Sequence, residues 1–213
     1  RKGFLEITGE VGAGKTTLCR ALLSQLNKKT KSAFIFNSTL PELQLLQAIL
    51  EDYGMIVTGR SKVSLLKQLN NFLIEELTHG NNVVLIIDEA QNLKPSILEE
   101  IRMLSNLETD KEKLFQIVLV GQPELKNKLA APGLIQLRQR ISVRFHITPL
   151  DKNEVSDYIN HRLMVAGSTG QIIFEPDAIE NIHKFSGGIP RLINMVCDKA
   201  MLTAYTMETM RIT

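Results

Sequence analysis

The sequence predicts an α/β fold, in which a three-layer parallel sheet is followed by a small, all-helical C-terminal domain. Over residues 1–149, short apolar runs alternate with helical patterns, which is typical of a parallel sheet built from strand–helix–strand units. From residue 150 onwards only helical patterns follow. We therefore predict two domains, 1–149 and 150–213.

The predicted strands are short runs rich in apolar and β-branched residues. They cover residues 4–8, 32–37, 83–87, 115–120 and 143–147. The run 83–87 reads Val-Val-Leu-Ile-Ile, and such a continuous run is typical of a strand buried on both faces of a parallel sheet.

Helices are predicted where apolar residues recur at three- and four-residue spacing. In the first domain they cover residues 15–26, a segment opened by Pro41, a segment around 65–73 that His79-Gly80 ends, and a segment opened by Pro95. In the second domain they cover residues 151–165, a short segment opened by Pro176, and residues 189–205.

Composition indicates a globular protein and limits the classes of function that the sequence supports. The 213 residues are 44% apolar and 23% charged, and the net charge of +2 does not favour nucleic-acid binding, although it does not exclude it. Two distant cysteines and four histidines show no metal-ligand spacing. The apolar run 83–87 is far too short to cross a membrane. Because the chain begins at Arg1 without Met, we expect it to be a piece of a longer protein.

A phosphate-binding loop is predicted between the first strand and the first helix. The segment reads Gly9-Glu10-Val11-Gly12-Ala13-Gly14-Lys15-Thr16-Thr17 and matches G-x-x-x-x-G-K-[ST]. Glycines let backbone amides approach phosphate oxygens, and the helix N-terminus adds partial positive charge. We expect Lys15 to reach the β- and γ-phosphates and Thr16 to offer its hydroxyl to Mg²⁺.

A pair of acids follows the third predicted strand. Asp88 stands at the carboxyl end of that strand, where open α/β sheets bind ligands, and it is a candidate for holding Mg²⁺. Glu89 is placed to orient or deprotonate an attacking water. The pair alone would fit a solvated strand end, but the phosphate loop upstream favours the catalytic interpretation.

Two further polar residues follow strands. We expect Gln122 to lie beside Asp88, where it could orient the water or touch the γ-phosphate, and a helix-capping amide is an equal alternative. Asn37 could restrain Glu89, although a turn-forming role suits it better.

Arginines are concentrated in two places. Arg138, Arg140 and Arg144 stand near the last strand, and in ring-forming ATPases such an arginine acts on a neighbour's nucleotide. Arg140 is the first candidate and Arg144 the second, and ordinary surface ion pairing is the alternative. Arg191 opens the last helix, where its charge opposes the helix dipole, so an anion such as the γ-phosphate would compensate it.

These motifs resemble the AAA+ class of P-loop ATPases, and more narrowly the general secretion pathway protein A (ExeA-like) family. The segments that carry the resemblance are residues 8–17, 88–93, 104–109, 116–125, 137–141 and 188–194. The acid at Glu89 and the absence of an Asn-Lys-x-Asp sequence favour ATP over GTP.

The resemblance implies an ATPase that uses ATP and Mg²⁺ and works at the cytoplasmic face of the bacterial inner membrane. It implies a homo-oligomer, an inner-membrane partner in a secretion or pilus system, and peptidoglycan binding only through a domain outside this sequence. A family segment that helps to enclose the adenine is also outside it. Transposition ATPases share similar motifs, so a DNA-bound regulator is the main alternative, and a nucleotide-gated switch with little turnover is another.

Overall fold

The computed structural model describes residues 3–27, 29–36, 40–107 and 114–213. The strands in these ranges are β1 (Phe4–Gly9), β2 (Thr30–Ile35), β3 (Asn82–Ile87), β4 (Gln116–Gly121), β5 (Ile141–Ile147), β6 (Ile173–Phe174) and β7 (Arg211–Ile212). The α-helices are α1 (Lys15–Gln25), α2 (Glu42–Asp52), α3 (Lys62–Thr78), α4 (Pro95–Leu104), α5 (Glu124–Leu129), α6 (Ile135–Arg140), α7 (Lys152–Val165), α8 (Pro176–Ser186) and α9 (Pro190–Thr206). Asn37 and the 108–109 part of the resemblance lie outside the described residues.

The chain forms two compact units. The first contains the described residues of 1–9 and 15–146, and the second contains 10–14 and 147–213. Residues 10–14, in the loop between β1 and α1, thus belong to the second unit. The predicted division between residues 149 and 150 stays a prediction.

The first unit is built on a five-stranded sheet in the order β2-β3-β4-β1-β5. The pairs β2–β3, β3–β4 and β1–β4 are parallel, with Leu85 opposite Ile117 and Ile7 opposite Val120. The predicted parallel α/β sheet is confirmed. Since β3 and β4 are neighbours, the residues that follow them meet at one edge.

The core of this unit comes from the sheet and the helices that pack on it. Leu85, Ile87 and Leu119 are fully buried in the central strands, and α3 and α4 bury Leu69 and Leu98 against the same cluster. A serine capping box at Ser61 starts α3, and a proline in the first turn starts α4. Local capping signals and apolar spacing therefore agree on these helices.

Strand β5 lies at the edge of the sheet beside β1 and has two different faces. Ser142 Oγ donates to the carbonyl oxygen of Phe4 at 3.1 Å, and His146 Nδ1 lies 3.0 Å from Thr8 Oγ1. Between them, Arg144 Nε donates to Glu6 Oε2 at 3.2 Å. The other face carries Val143 and Phe145, about half of whose surface is exposed. Polar side chains thus fix this edge strand to β1, next to the start of the loop.

The second unit is mainly helical, as predicted. An Asp151 capping box starts α7, whose Val155 and Ile159 join a separate apolar cluster with α8 and α9. Gly187 and Gly188 join α8 to α9 with φ of +56° and +76°. The unit also contains a pair of two-residue parallel strands, β6 and β7, which the sequence analysis did not predict.

None of the helices in the described ranges has the combination of length and apolar character that crossing a bilayer requires.

Candidate functional site

The predicted phosphate loop joins the end of β1 to the start of α1. Gly12 and Gly14 have φ of +81° and +93°, a region that favours glycine. The Ala13 N–H donates to the Glu10 carbonyl at 3.1 Å and closes a turn. Lys15 is only 6% exposed, and its Nζ donates to the Gly9 carbonyl oxygen at 2.8 Å. The loop therefore has a turn geometry that only glycine tolerates easily, with the lysine at its end.

Gly12 also lies against the first turn of α9, within the second unit. The Arg191 N–H donates to the Gly12 carbonyl at 3.3 Å. A Cβ atom on Gly12 would be 2.6 Å from Arg191 Cβ, so this approach requires glycine. Arg191, which we singled out from the sequence, is thus brought to the loop, and its side chain is exposed.

Thr16 and Asp88 are in direct contact. Thr16 Oγ1 donates to Asp88 Oδ2 at 2.6 Å. Asp88 is 2% exposed, and its Oδ1 accepts the Glu89 N–H at 2.8 Å. The Asp88 N–H donates to the Ile35 carbonyl at 2.9 Å, which ties the acid to β2. The two residues predicted to hold Mg²⁺, 72 positions apart, therefore meet.

A buried thiol lies behind this pair on α1. Cys19 is fully buried, and burial raises the pKa of its thiol to about 11, with the negative charge of Asp88 adding to the shift. The thiol therefore stays protonated near neutral pH, and it serves as packing.

Glu89 follows Asp88 in a left-handed backbone conformation, with φ of +52°. Such a conformation is uncommon for a residue other than glycine and tends to occur at functional sites. Glu89 Oε2 accepts a hydrogen bond from Gln91 Nε2 at 2.5 Å and another from Gln122 Nε2 at 3.3 Å. The second bond places Gln122 beside the acid pair, because β3 and β4 are adjacent.

Gln91 was given no role from the sequence alone. It stands in the segment Asp88-Glu89-Ala90-Gln91, in a short 3₁₀ helix (Ala90–Asn92) directly after Glu89. Its position two residues after the acid was the available signal, but spacing alone cannot show that the side chain turns back towards Glu89.

The arginines near β5 bond within the first unit. Arg140 Nη1 donates to the Arg102 carbonyl at 3.1 Å and to Ser105 Oγ at 2.6 Å, at the end of α4. Arg144 bonds to Glu6 and, through Nη2, to the Arg138 carbonyl at 2.8 Å. The Arg138 side chain is exposed. None of these hydrogen bonds joins Arg140 or Arg144 to Asp88 or Glu89.

The oxygen atoms at Thr16 and Asp88 suit a magnesium ion. Mg²⁺ prefers oxygen ligands and commonly uses one or two protein groups together with substrate phosphates and water. In the described ranges, no group of three or more His, Cys, Asp or Glu side chains could hold a metal ion by itself. A hydroxyl and a carboxylate fit a cation that a phosphate ligand also shares.

Comparisons with known proteins show which family the chain belongs to. Residues 1–129 match the family model described as "AAA domain". The chain is 46% identical over 211 residues to "General secretion pathway protein A" of Aeromonas hydrophila, and this match covers 99% of the chain and 38% of the relative. The chain thus spans well under half the length of that relative.

Solved structures share the fold at low identity. The ORC2 protein of Aeropyrum pernix superposes with a TM-score of 0.71 at 19% identity, covering 100% of this chain and 59% of that one. Cdc6p of Pyrobaculum aerophilum gives a TM-score of 0.70 at 19% identity, covering 98% of this chain and 57% of that one. At such identities the likeness shows the fold alone.

The fold and the loop define a P-loop NTPase of the AAA type. The chain belongs to the AAA domain family, and within that family it is similar to general secretion pathway protein A.

Proposed function

We propose that this chain is a module that binds and hydrolyses ATP with Mg²⁺. The hydrogen bond of 2.6 Å between Thr16 Oγ1 and Asp88 Oδ2 carries the proposal. It places a hydroxyl at the start of the loop helix against a buried carboxylate at the end of β3. In P-loop enzymes such a pair helps to hold a magnesium ion, so Thr16 and Asp88 would hold Mg²⁺ here. The ion would supply positive charge that neutralises the phosphates.

Binding is assigned to the loop and its neighbours. The backbone N–H groups of residues 9–17 would face the phosphates, because Gly12 and Gly14 have the conformations such a loop needs. Lys15 would exchange its bond to the Gly9 carbonyl for a phosphate oxygen. Arg191, which starts α9 beside Gly12, would bring positive charge to the same loop.

Hydrolysis is assigned to Glu89. Its carboxylate follows Asp88 directly, and two amide groups restrain it, those of Gln91 and Gln122. A carboxylate held in this way can orient a water molecule and accept its proton. A switch without turnover does not need this acid. Gln122 would help to orient the water.

The process that hydrolysis serves is proposed from the relative of Aeromonas hydrophila. We propose that the module powers assembly of a bacterial secretion or pilus system at the cytoplasmic face of the inner membrane. It would act there as a homo-oligomer with a membrane partner. A regulator of DNA transposition remains the alternative, and the low net charge of +2 gives no support for a broad DNA-binding surface.

The binding proposal is tested with Lys15→Ala. The variant should lose measurable ATP binding in calorimetry, because charge-assisted bonds to phosphate contribute roughly 1.5–3 kcal/mol each and a buried lysine is hard to replace. Lys67→Ala removes an exposed lysine from α3 and should bind as the unaltered chain does. Equal affinity in Lys15→Ala would refute the site.

The hydrolysis proposal is tested with Glu89→Gln under single-turnover conditions. The variant should bind ATP with unchanged affinity, while hydrolysis falls by about 10²- to 10⁴-fold, the usual contribution of general base catalysis. The exposed Glu75→Gln on α3 is the matched control and should keep full activity. Full turnover by Glu89→Gln would remove Glu89 as the activating base.

A further inference from the structure

The side chain of Gln91 uses both ends of its amide. Its Nε2 donates to Glu89 Oε2 at 2.5 Å, and its Oε1 accepts the backbone N–H of Gln122 at 3.0 Å. One amide therefore connects the acid after β3 to the main chain of the turn after β4. Donation to a carboxylate is stronger than a bond between neutral groups, so the Glu89 end is firmly held.

The main chain around Gln91 is fixed from α5. Lys128 Nζ donates to the Gln91 carbonyl oxygen and, at 2.9 Å, to the carbonyl oxygen of Leu93. A cation bound to two carbonyls holds the short 3₁₀ helix against α5. Because these bonds hold the backbone at Gln91 in place, the side-chain amide of Gln91 can reach only a limited set of positions.

Gly121 provides the space that this arrangement needs. A Cβ atom at position 121 would lie 2.6 Å from Gln91 Oε1. Its conformation is not one that requires glycine, since the φ of Gly121 is outside the positive range. The absence of a side chain therefore matters at Gly121 because Gln91 fills the space.

The contacts form a closed ring of hydrogen bonds. Gln122 donates its backbone N–H to Gln91 and its side-chain amide to Glu89 at 3.3 Å, while Gln91 donates to the same carboxylate oxygen. In such a ring, a shift of the turn at Gln122 displaces Glu89 through two routes. Of the two, the bond through Gln91 Nε2 is shorter.

We propose that Gln91 is a positioning residue that links the placement of the Glu89 carboxylate to the turn between β4 and α5. The proposal rests on the proposed ATPase function. Gln91 does not touch the reacting atoms; it holds the group that does. A change at Gln122, such as contact with a γ-phosphate, would then reorient Glu89 through Gln91.

The first test compares Gln91→Met with Gln44→Met, an exposed glutamine on α2. Methionine keeps the length of the side chain and removes both hydrogen bonds. We expect kcat for ATP hydrolysis to fall about tenfold or more with KM changed less than about twofold, because misplacing a catalytic group affects chemistry rather than binding. Gln44→Met should change neither. An unchanged kcat in a folded Gln91→Met would overturn the proposal.

The second test repeats the substitution in a Glu89→Gln background. Since Gln91 acts through Glu89, its loss should have little further effect on the residual hydrolysis there. A fall of the same size in both backgrounds would show that Gln91 supports the fold or another step, and would overturn the proposal.

Gly121→Ala reaches the same bridge without altering Gln91 itself. The added Cβ would displace Gln91 Oε1, so we expect the same loss of kcat at constant KM. This variant decides the question if Gln91→Met does not fold. Normal kcat in Gly121→Ala, with the Gln91 bond shown by NMR to be broken, would contradict the proposal.

Amide exchange separates this proposal from the proposed ATPase function. In the nucleotide-free chain, exchange of the Gln122 N–H should be faster by about tenfold or more in Gln91→Met than in Gln44→Met, because its acceptor is lost. If the unaltered chain binds ATP but never hydrolyses it, the ATPase proposal fails. Amide exchange then still shows whether Gln91 connects Glu89 to the turn between β4 and α5. Equal exchange in both variants would refute the link.

Discussion

Gly12 is a residue of the loop that contacts the first turn of α9. Its carbonyl oxygen accepts the Arg191 N–H, and a Cβ atom on Gly12 would lie only 2.6 Å from Arg191 Cβ. Gly14, two residues on, has a similar positive φ of +93° but nothing within 4 Å of its added Cβ. Backbone conformation therefore favours glycine at both positions, whereas close packing requires it only at Gly12.

This difference can be measured as stability. Gly14→Ala should lower the free energy of unfolding by about 1 kcal/mol, the cost of a left-handed conformation for an ordinary residue. Gly12→Ala should cost about 2–3 kcal/mol, since the start of α9 must also move. Urea unfolding of the nucleotide-free variants checks the order, and equal losses would show that the close approach to Arg191 has no energetic weight.

At the scale of the element, β5 is held to the sheet by side chains as well as by its backbone. Glu6 is a buried acid within β1, 3% exposed, and Arg144 of β5 is its ion-pair partner. Arg144 itself is about half exposed, which weakens the pair but leaves Glu6 dependent on it. The arginine that the sequence offered as a second catalytic candidate is thus used to place an edge strand.

Arg144→Met should therefore destabilise the first unit. Removing the guanidinium leaves a buried carboxylate without that partner, which we expect to cost about 1–2 kcal/mol after allowing for solvent at the arginine. Arg60→Met, on an exposed arginine, should have no measurable effect in the same unfolding experiment. Adding Glu6→Gln removes the carboxylate charge that Arg144→Met leaves without its partner, so the double variant should be more stable than Arg144→Met alone. If it is not, loss of the ion pair does not cause the destabilisation.

The sequence predicted the elements whose pattern is local. Continuous apolar runs placed β3 and β4, proline signals placed α4 and α8, and apolar spacing placed α7. The short helix α6 and the pair β6–β7 were missed, because one or two turns and two-residue strands carry too little periodicity. Strand β2 ends at Ile35, earlier than the predicted residue 37.

For the site too, residues in local motifs could be predicted from the sequence, while contacts that depend on the folded chain could not. Lys15, Thr16, Asp88 and Glu89 belong to motifs with fixed spacing, and sheet order is enough to bring Gln122 beside them. The proposed role of Gln91 depends on two contacts, the bond of its side chain to Glu89 and its close approach to Gly121. The sequence pattern shows neither contact. The intrachain bonds of Arg140 likewise depend on where α4 ends.

At the scale of the whole molecule, the proposed oligomer requires a surface that meets another copy of the chain. Arg140, our candidate for acting on a neighbour's nucleotide, donates to Arg102 and Ser105 in its own chain. A role across a subunit boundary would require it to leave these bonds. Arg138, two residues earlier, is exposed on α6 and is the natural comparison.

Mixing experiments test the role of Arg140 in the proposed oligomer. If Arg140 acts on a neighbouring subunit, Arg140→Ala and Glu89→Gln chains should each be inactive alone and should recover part of the ATPase activity when mixed, since each supplies what the other lacks. Mixtures of Arg138→Ala with Glu89→Gln show whether Arg138 fills this role instead. Absence of recovery in confirmed mixed oligomers would count against Arg140.

Both native thiols are chemically quiet. Cys19 and Cys197, the two cysteines of the chain, are buried, and burial raises the pKa of each to about 11. The thiolate is the reactive form, so near neutral pH both thiols stay almost entirely protonated, and burial also keeps alkylating reagents away from them. A cysteine introduced at an exposed site would react far sooner. Fluorophores can therefore be attached selectively to the otherwise native chain, with no need to replace either packed thiol.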